Sequence, residues 1–401
     1  MLSVEEARAR ILDGLAPVPA ETVALTDGWA RVLAAPVVAR LTQPPADVSA
    51  MDGYALRAAD APTGARLRVV GAAPAGRPFD GTLKWGEAVR LFTGSVIPAG
   101  ADCVLLQEDA EAGPDTVLVQ EAPRAGQHIR RQGQDFAAGD VVLQPGQRLG
   151  ARDIGLAAAA NHAFLAVHRR PRIAVLATGD EICLPGEPVG AGALVSSNSF
   201  ALAALIRACG CEAVVLPVAR DDAAAIGAAG AAAAGADLLV TTGGASVGDH
   251  DLVQAGLGAQ GFALDFWKIA MRPGKPMIFG RLGAMPVLGL PGNPVSAYVC
   301  AVLFLVPAMA RLCGLAAAGP ATDAALLGAP VRANDHRADH LRANLSRDGS
   351  GRLVATPFER QDSALLHALA EAGALILRPP HAAALQAGEE IQVIRLDLVG
   401  W

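Results

Sequence analysis

The chain has 401 residues and a formal net charge of −6 at pH 7, with 52% hydrophobic residues and only 4% aromatics. At roughly 100–200 residues per domain, that length holds about two to four domains, and the hydrophobic content excludes an intrinsically disordered chain. The acidic balance, with no basic run, argues against nucleic acid as the main partner.

In chain order, "MLSVEEARARILDGL" mixes Glu and Arg through an amphipathic helix, unlike a signal peptide. Residues 1 to about 40 are expected to run helix, turn, helix. From 43 to 138, short β-like runs such as "RLRVVGAA", "EAVRLFTG" and "DTVLVQEA" are punctuated by Gly and Pro, which predicts an all-β insert. "RDIGLAAAANHAFLAVHRRP" returns to helix with a short strand at its end. From 172 to about 314, β and α alternate. "RIAVLAT", "CEAVVLPVA", "DLLVTTGG" and "PVLGL" are strands, and "NSFALAALIRACG" is a helix with Asn198 or Ser199 as N-cap and Gly210 past its end. This rhythm predicts a doubly wound parallel sheet covered on both faces. "AYVCAVLFLVPAMA" (297–310) is too short to span a bilayer and contains Pro307, so a buried helix is expected and no membrane. Residues 319–401 return to short strands and turns. The division expected is therefore 1–42 with 139–170 as a helical linker or dimerisation domain, 43–138 as the β insert, 171–318 as the α/β domain and 319–401 as a small C-terminal β domain. Six cysteines contain no CxxC pair; Cys209 and Cys211 alternate in an apolar segment and read as packing, not zinc or a disulfide. A cytoplasmic location is expected.

Each strand of the α/β region is followed by an unusual loop: "TGDE", "RDD", "TTGGASVGDHD" and "PGNPVS". In an open parallel sheet such loops share the rim at the carboxyl ends of the strands, where ligands bind. Gly243, Gly244 and the small hydroxyl residues beside them, Ser246 included, would let backbone N–H groups approach a phosphate. Asp180, Glu181, Asp221, Asp222, Asp249 and Asp251 would crowd next to that cradle. Carboxylates beside a phosphate are tolerable if a divalent cation lies between them, and magnesium suits this role. The competing account is that such acids cap the following helices. Capping is the better account for Asp222, and a ligand role for Glu181 and Asp251; His250 reads as a solvated loop residue.

"MRPGKP" sets Arg272 and Lys275 on a proline-stiffened turn, either presented to a tetrahedral oxyanion or as solvated charges of an exposed hairpin. "LPGNPVSA" starts a helix with Asn293 as N-cap and Pro294 at the first helical position, where free N–H groups form an anion site; it is equally a good helix start. "SAMDGYALR" holds an Asp52–Gly53 turn that is either functional or an ordinary hairpin turn. "RLFTGSVIPAGAD" and "IRRQGQD" are two more polar loops of the β insert.

Taken in order, "SAMDGYA", "FTGSVIPAGAD", "IRRQGQD", "ATGDEI", "ARDD", "TTGGASVGDHD", "WKIAMRPGKP" and "GLPGNPVSAYV" resemble the MoeA family of molybdopterin molybdenumtransferases, whose eukaryotic relatives include gephyrin and the plant Cnx proteins. The resemblance runs essentially end to end. It implies a multidomain α/β plus β fold: a central doubly wound, molybdopterin-binding, MogA-like domain, an inserted β domain and a small C-terminal β-barrel-like domain. It also implies an elongated homodimer, with the active site where one subunit's insert meets the partner's α/β domain.

The implied activity is that of a molybdenum insertase. Adenylylated molybdopterin and molybdate bind, the pyrophosphate link is cleaved with magnesium or a similar divalent ion, and AMP leaves. Carried onto this sequence, the catalytic set is Asp52, Thr93, Asp135, Glu181, Asp221 and Asp251, with Glu181, Asp221 and Asp251 at the metal. Gly243, Gly244, Ser246, Pro291, Gly292, Asn293 and Pro294 would bind the pterin substrate. Arg272, Lys275, Arg342 and Ser363 would contact molybdate. Two departures stand out: many members have Lys where Arg272 stands, and the C-terminal "GR…F.RG" stretch appears as "HRADHLRANL". Handover to downstream cofactor-maturation proteins or apo-molybdoenzymes is the implied next step. The alternatives are the preceding adenylylation step, which the "MDGYA" insert argues against, a tungstate-handling paralogue, and a non-catalytic molybdopterin-binding scaffold.

Overall fold

The computed structural model describes residues 1–243, 252–316 and 319–399. Its centre is a six-stranded sheet. Four strands are parallel, in the order Glu212–Val215, Arg172–Ala177, Leu238–Thr242, Met285–Leu290. Pro276–Leu282 and Phe262–Lys268 continue the sheet as an antiparallel pair, which the β–α alternation did not indicate. Arg172–Ala177 is buried at every residue after the first and Leu238–Thr242 throughout, as expected when both faces of a parallel strand are covered. The helices Asn198–Ala208, Ala223–Ala232 and Leu252–Gly258 and the helical run Pro294–Leu312 supply that cover.

The Pro294–Leu312 run is the long buried helix expected there. Its 19 residues have mean hydropathy 1.9, enough in length and composition to cross a membrane, yet 89% of the segment is buried inside the protein. Val302, Phe304 and Met309 join the main core with strand residues Val175, Val240 and Leu288. A wider π turn, Ala301–Leu305, falls just before Pro307. There the proline's missing N–H and its ring would disrupt a regular α-helical ladder.

The N-terminal helix Val4–Asp13 is closed by a capping box between Ser3 and Glu6. The second helix expected before residue 40 does not form. Ala20–Ala24 is instead a strand, paired antiparallel with Phe164–His168, and Val37–Val38 pairs with Val141–Leu143. Thr22 and Val23 are β-branched and favour the extended state once a partner is present. That partner lies about 140 residues away, beyond the reach of local patterning.

The β insert carries a six-stranded sheet in the order Cys103–Leu106, Gly53–Leu56, Glu87–Leu91, Arg66–Ala73, Thr116–Val119, Ala110–Ala112. Its core includes Leu56, Leu67, Leu105 and Val117. At the C-terminal end, Asp323–Leu327, Ala338–Arg347, Leu353–Pro357, Ala374–Arg378 and Glu390–Arg395 close into a small barrel, because Ala338–Arg347 pairs with both Leu353–Pro357 and Ala374–Arg378. Met271–Arg272 of the α/β region pairs in parallel with Ala338–Asp339 and fastens the barrel to the "MRPGKP" turn.

Candidate active site

The loops after the parallel strands meet, as anticipated, in one cleft of about 590 Å³. Its floor is set by backbone contacts between strand ends. Thr178 N donates to Thr242 O at 3.1 Å, and Gly179 N to Ala219 O at 3.2 Å. Gly243 has φ +92°, and a Cβ there would collide with the Thr178 carbonyl oxygen. Close approach of two loop backbones therefore dictates this glycine. Gly244, Ser246, Asp249 and Asp251 lie outside the described residues.

One wall is the "PGNP" loop. Asn198 Nδ2 donates to Thr242 Oγ1 and to Gly292 O, both at 2.8 Å, and Thr242 Oγ1 donates to Pro291 O at 3.2 Å. Asn198 is thus the first residue of its helix and not its cap; Ser197 holds the cap position without a side-chain hydrogen bond. Asn198 spends its amide tying a strand end to the "PGNP" loop. Asn293 does occupy the cap position before Pro294, but its side chain turns away from the helix and donates to Ser363 Oγ at 3.0 Å. Val295 N donates to Ser363 O at 3.1 Å. That helix start is therefore partly occupied by the C-terminal barrel, contrary to the expectation of free N–H groups.

The acidic loops face the same cleft. Glu181 and Asp221 both line it, and Asp180 Oδ1 accepts from Asp221 N at 3.2 Å. Burial, then the charges of Glu181 and Asp180, push the Asp221 carboxyl above the usual carboxylate range. Asp222 caps its helix by accepting from Ala224 N and Ala225 N at 2.9 and 3.2 Å, the structural role favoured for it. Among the described residues, no group of three or more His, Cys, Asp or Glu is set to hold a metal. Of the metal set expected, only Glu181 and Asp221 are on view.

The other expected residues are not among the described residues that line the cleft, although Pro276, which ends the "MRPGKP" turn, is. Asp52 Oδ1 accepts from Thr93 N at 2.7 Å and from Thr93 Oγ1 at 2.9 Å. These bonds hold the Asp52 carboxyl below its ordinary value, helped by the nearby Arg90. Asp135 is exposed, and its backbone N donates to Gln43 O at 3.0 Å. Asp52, Thr93 and Asp135 share the insert, but none of them is among the described residues that line the cleft. Arg272 is half exposed and donates to Asp335 Oδ2 at 2.8 Å; Lys275 sits three residues on, at the end of the same turn.

Arg342 does not fit the oxyanion contact expected of it. Only 1% of the residue is exposed, and its guanidinium donates to Gln361 Oε1, Asp362 O and Arg360 O at 3.3, 2.9 and 3.4 Å. Leu341, Ala343 and Leu345 face the barrel core, so strand alternation puts Arg342 on the opposite face, where the 360–362 segment covers it and its backbone carbonyls satisfy the buried cation. Ser363 follows directly on the segment that Arg342 holds.

Three family models cover this architecture in order. The MoeA N-terminal region (domain I and II) matches residues 2–161, a probable molybdopterin binding domain matches 174–311, and the MoeA C-terminal region (domain IV) matches 324–396. "Molybdopterin molybdenumtransferase 2" of Mycobacterium tuberculosis is 36% identical over 405 residues, covering 98% of this chain and 99% of that one. The "Molybdopterin molybdenumtransferase" of a Nostoc species is 33% identical over 396 residues, covering 93% and 89%. Two solved structures of molybdopterin biosynthesis MoeA proteins from Pyrococcus horikoshii superpose with TM-scores of 0.85, at 29% and 26% identity, each over 98% of this chain and 99% of the other. The chain belongs to the MoeA family.

Three residues that local patterning does not single out order the surroundings of the site in this MoeA protein: Asn198 at the rim, and Gln361 and Asp335 in the C-terminal domain. Asn198 was read as a cap because Asn is a common one. Gln361 was passed over, yet its Nε2 donates to Arg342 O and Phe358 O at 2.9 and 3.0 Å while its Oε1 takes the Arg342 N–H at 3.0 Å. Asp335 carried no motif at all. The run "SSNS" before the helix was the one available signal for Asn198.

Proposed function

We propose that this transferase of the MoeA family is a molybdenum insertase: it takes adenylylated molybdopterin and molybdate as substrates, cleaves the pyrophosphate bond and releases AMP. The observation that carries the reading is the cleft itself. One cavity of about 590 Å³ joins the Thr178–Gly179 and Gly243 backbone, the carboxylates Glu181 and Asp221, and the "PGNP" loop. Such a seat offers close backbone approach to a phosphorylated ligand and acids for a cation beside it.

Glu181 and Asp221 fit an oxygen-coordinated divalent ion, because Asp221 is pushed up first by desolvation and then by the charge of Glu181, and a cation relieves that charge. Magnesium held there supplies neutralising charge at the pyrophosphate. The remaining work falls to the chain's own groups. Gly243, Pro291, Gly292, Asn293 and Pro294 shape the seat; Gly244, Ser246 and Asp251 complete it in this proposal. Arg272 and Lys275 hold the oxyanion substrate, with Ser363 at the edge of the loop. Asp52, kept ionised by Thr93, orients or accepts a proton, and Asp135 acts beside it. Fixed charges aimed at the reacting oxyanions are the main catalytic contribution.

We further propose a homodimer in which the insert of one copy meets the cleft of the other. The support is that Asp52, Thr93 and Asp135 do not line the cleft of their own chain among the described residues. The working units are 1–42 with 139–170, 43–138, 171–318 and 319–401; the setting is the cytoplasm, and the product passes to a downstream maturation protein or apo-enzyme. The test is AMP release by purified protein with magnesium and molybdate, and with each omitted. Release that needs both is expected. Tight pterin binding with no release would point to a carrier and overturn the proposal.

A further inference from the structure

Arg272 is engaged before any oxyanion reaches it. Beyond its 2.8 Å bond to Asp335 Oδ2, its Nε lies 3.8 Å from Asp339 Oδ1. The same Asp335 Oδ2 accepts from Arg337 Nη2 at 2.8 Å, while Asp335 Oδ1 accepts from Arg337 Nε at 3.3 Å and from Arg337 N at 2.9 Å. The fold builds this pose. The parallel pairing of Met271–Arg272 with Ala338–Asp339 brings the loop before that strand against the turn, and His381 N donates to Asp335 O at 2.8 Å. Asp335 therefore keeps a partner, Arg337, when Arg272 lets go. The Arg272 side chain is 48% exposed, so a small anion can reach it.

We infer that Asp335 is the resident counter-anion of the Arg272 subsite and tunes its anion preference: every oxyanion must displace the carboxylate from Arg272, and the displaced carboxylate, held close by Arg337, opposes a dianion more than a monoanion. The inference rests on the reading of Arg272 as an oxyanion contact. Its physical basis is a competition. An incoming oxyanion must give up its freedom of motion on binding, which the tethered carboxylate has already lost. A dianion offers Arg272 twice the Coulomb attraction of a monoanion and can use the guanidinium fork through two oxygens, but the displaced carboxylate repels it twice as strongly. The Arg337 hydrogen bonds keep the Asp335 carboxyl far below the usual carboxylate range, so the competitor stays charged at any working pH.

The test uses the full-length protein and two probes, molybdate as the dianion and perrhenate as a tetrahedral monoanion, with affinity read by titration calorimetry. Asp335→Asn is expected to bind molybdate about fivefold tighter and to gain less for perrhenate, so that the preference for the dianion grows. Asp323→Asn removes the same unit charge from the same barrel, where Asp323 lies 3.9 Å from Arg395, and should change neither. Asp335→Ser, which keeps a hydroxyl acceptor for the Arg337 N–H, should repeat the Asn result if the amide perturbs the loop. Unchanged selectivity in both Asp335 variants, or an equal change in Asp323→Asn, overturns the inference. Arg272→Ala separates it from the reading beneath: lost molybdate binding supports that reading, and wild-type affinity overturns it whatever Asp335 does.

Discussion

Asp52 in the insert and Asp221 on the rim are both carboxylates, in opposite electrostatic situations. Asp52 is met by two donors from one residue, the N–H and hydroxyl of Thr93, and its charge is stabilised. Asp221 stands on the exposed rim beside Glu181 and Asp180, and its charge is opposed by partial desolvation and then by theirs. A carboxylate held ionised by fixed donors is prepared to accept a hydrogen bond or a proton in a set direction. A carboxylate crowded by its own kind is prepared for a cation. In the proposed mechanism the two regions divide labour that one cluster of acids could not perform: protonation chemistry in the insert, cation binding on the rim.

The largest expected effect comes from breaking the first half. Asp52→Asn keeps the shape and removes the charge, and should lower the rate of AMP release by roughly a hundredfold or more, with the melting temperature unchanged. A rate within twofold of wild type would remove Asp52 from the catalytic set. Next comes the rim. Glu181→Gln and Asp221→Asn should each raise the magnesium concentration for half-maximal activity by about tenfold or more, and the loss should be recovered in part by excess metal. If both variants keep the wild-type magnesium requirement, the division between the two regions fails.

The comparison also has a sign in pH. The Asp221 carboxyl is raised above its ordinary value by burial and by neighbouring acids, so protons compete with magnesium at higher pH than an ordinary carboxylate would allow. As pH falls through the raised Asp221 value, the magnesium requirement should climb, and Asp221→Asn should flatten that climb. Asp52 is shifted the other way, so it remains charged across the same range. Titrating the magnesium requirement against pH in wild type and Asp221→Asn checks this; parallel curves would contradict it.

What was legible from residues alone follows from the range of the interactions. The continuous apolar runs of Arg172–Ala177 and Leu238–Thr242 announce buried parallel strands, and Gly and Pro mark the loops between elements, so the rim and its acids Glu181 and Asp221 could be placed. The strand Ala20–Ala24 could not, because its ladder is completed by Phe164–His168. Arg342 was assigned to the ligand by resemblance, and only the pairing of its strand shows the guanidinium turned into the 360–362 segment. Asn198 and Asn293 look alike as cap candidates, yet each spends its amide on a residue at least 70 positions away. Side-chain destinations across the chain are set by tertiary packing, and local patterning carries no record of them.

The subtlest effect belongs to Thr93. Thr93→Val removes the hydroxyl donor to Asp52 and leaves the backbone N–H bond at 2.7 Å in place. The charge on Asp52 is then stabilised by one donor fewer, so its folded-state value should rise part of the way back to that of a free carboxylate. The backbone donor stays in place, so AMP release is expected to fall about tenfold or less, well short of Asp52→Asn. Because the shift is upward, the acid limb of the pH–rate profile should move to higher pH, while the magnesium requirement at neutral pH stays as in wild type. Thr93→Ser, which restores a hydroxyl, should return both rate and limb. A changed magnesium requirement in Thr93→Val would mean that the insert and the rim share one charge network, and the separation of roles between Asp52 and Asp221 would have to be given up.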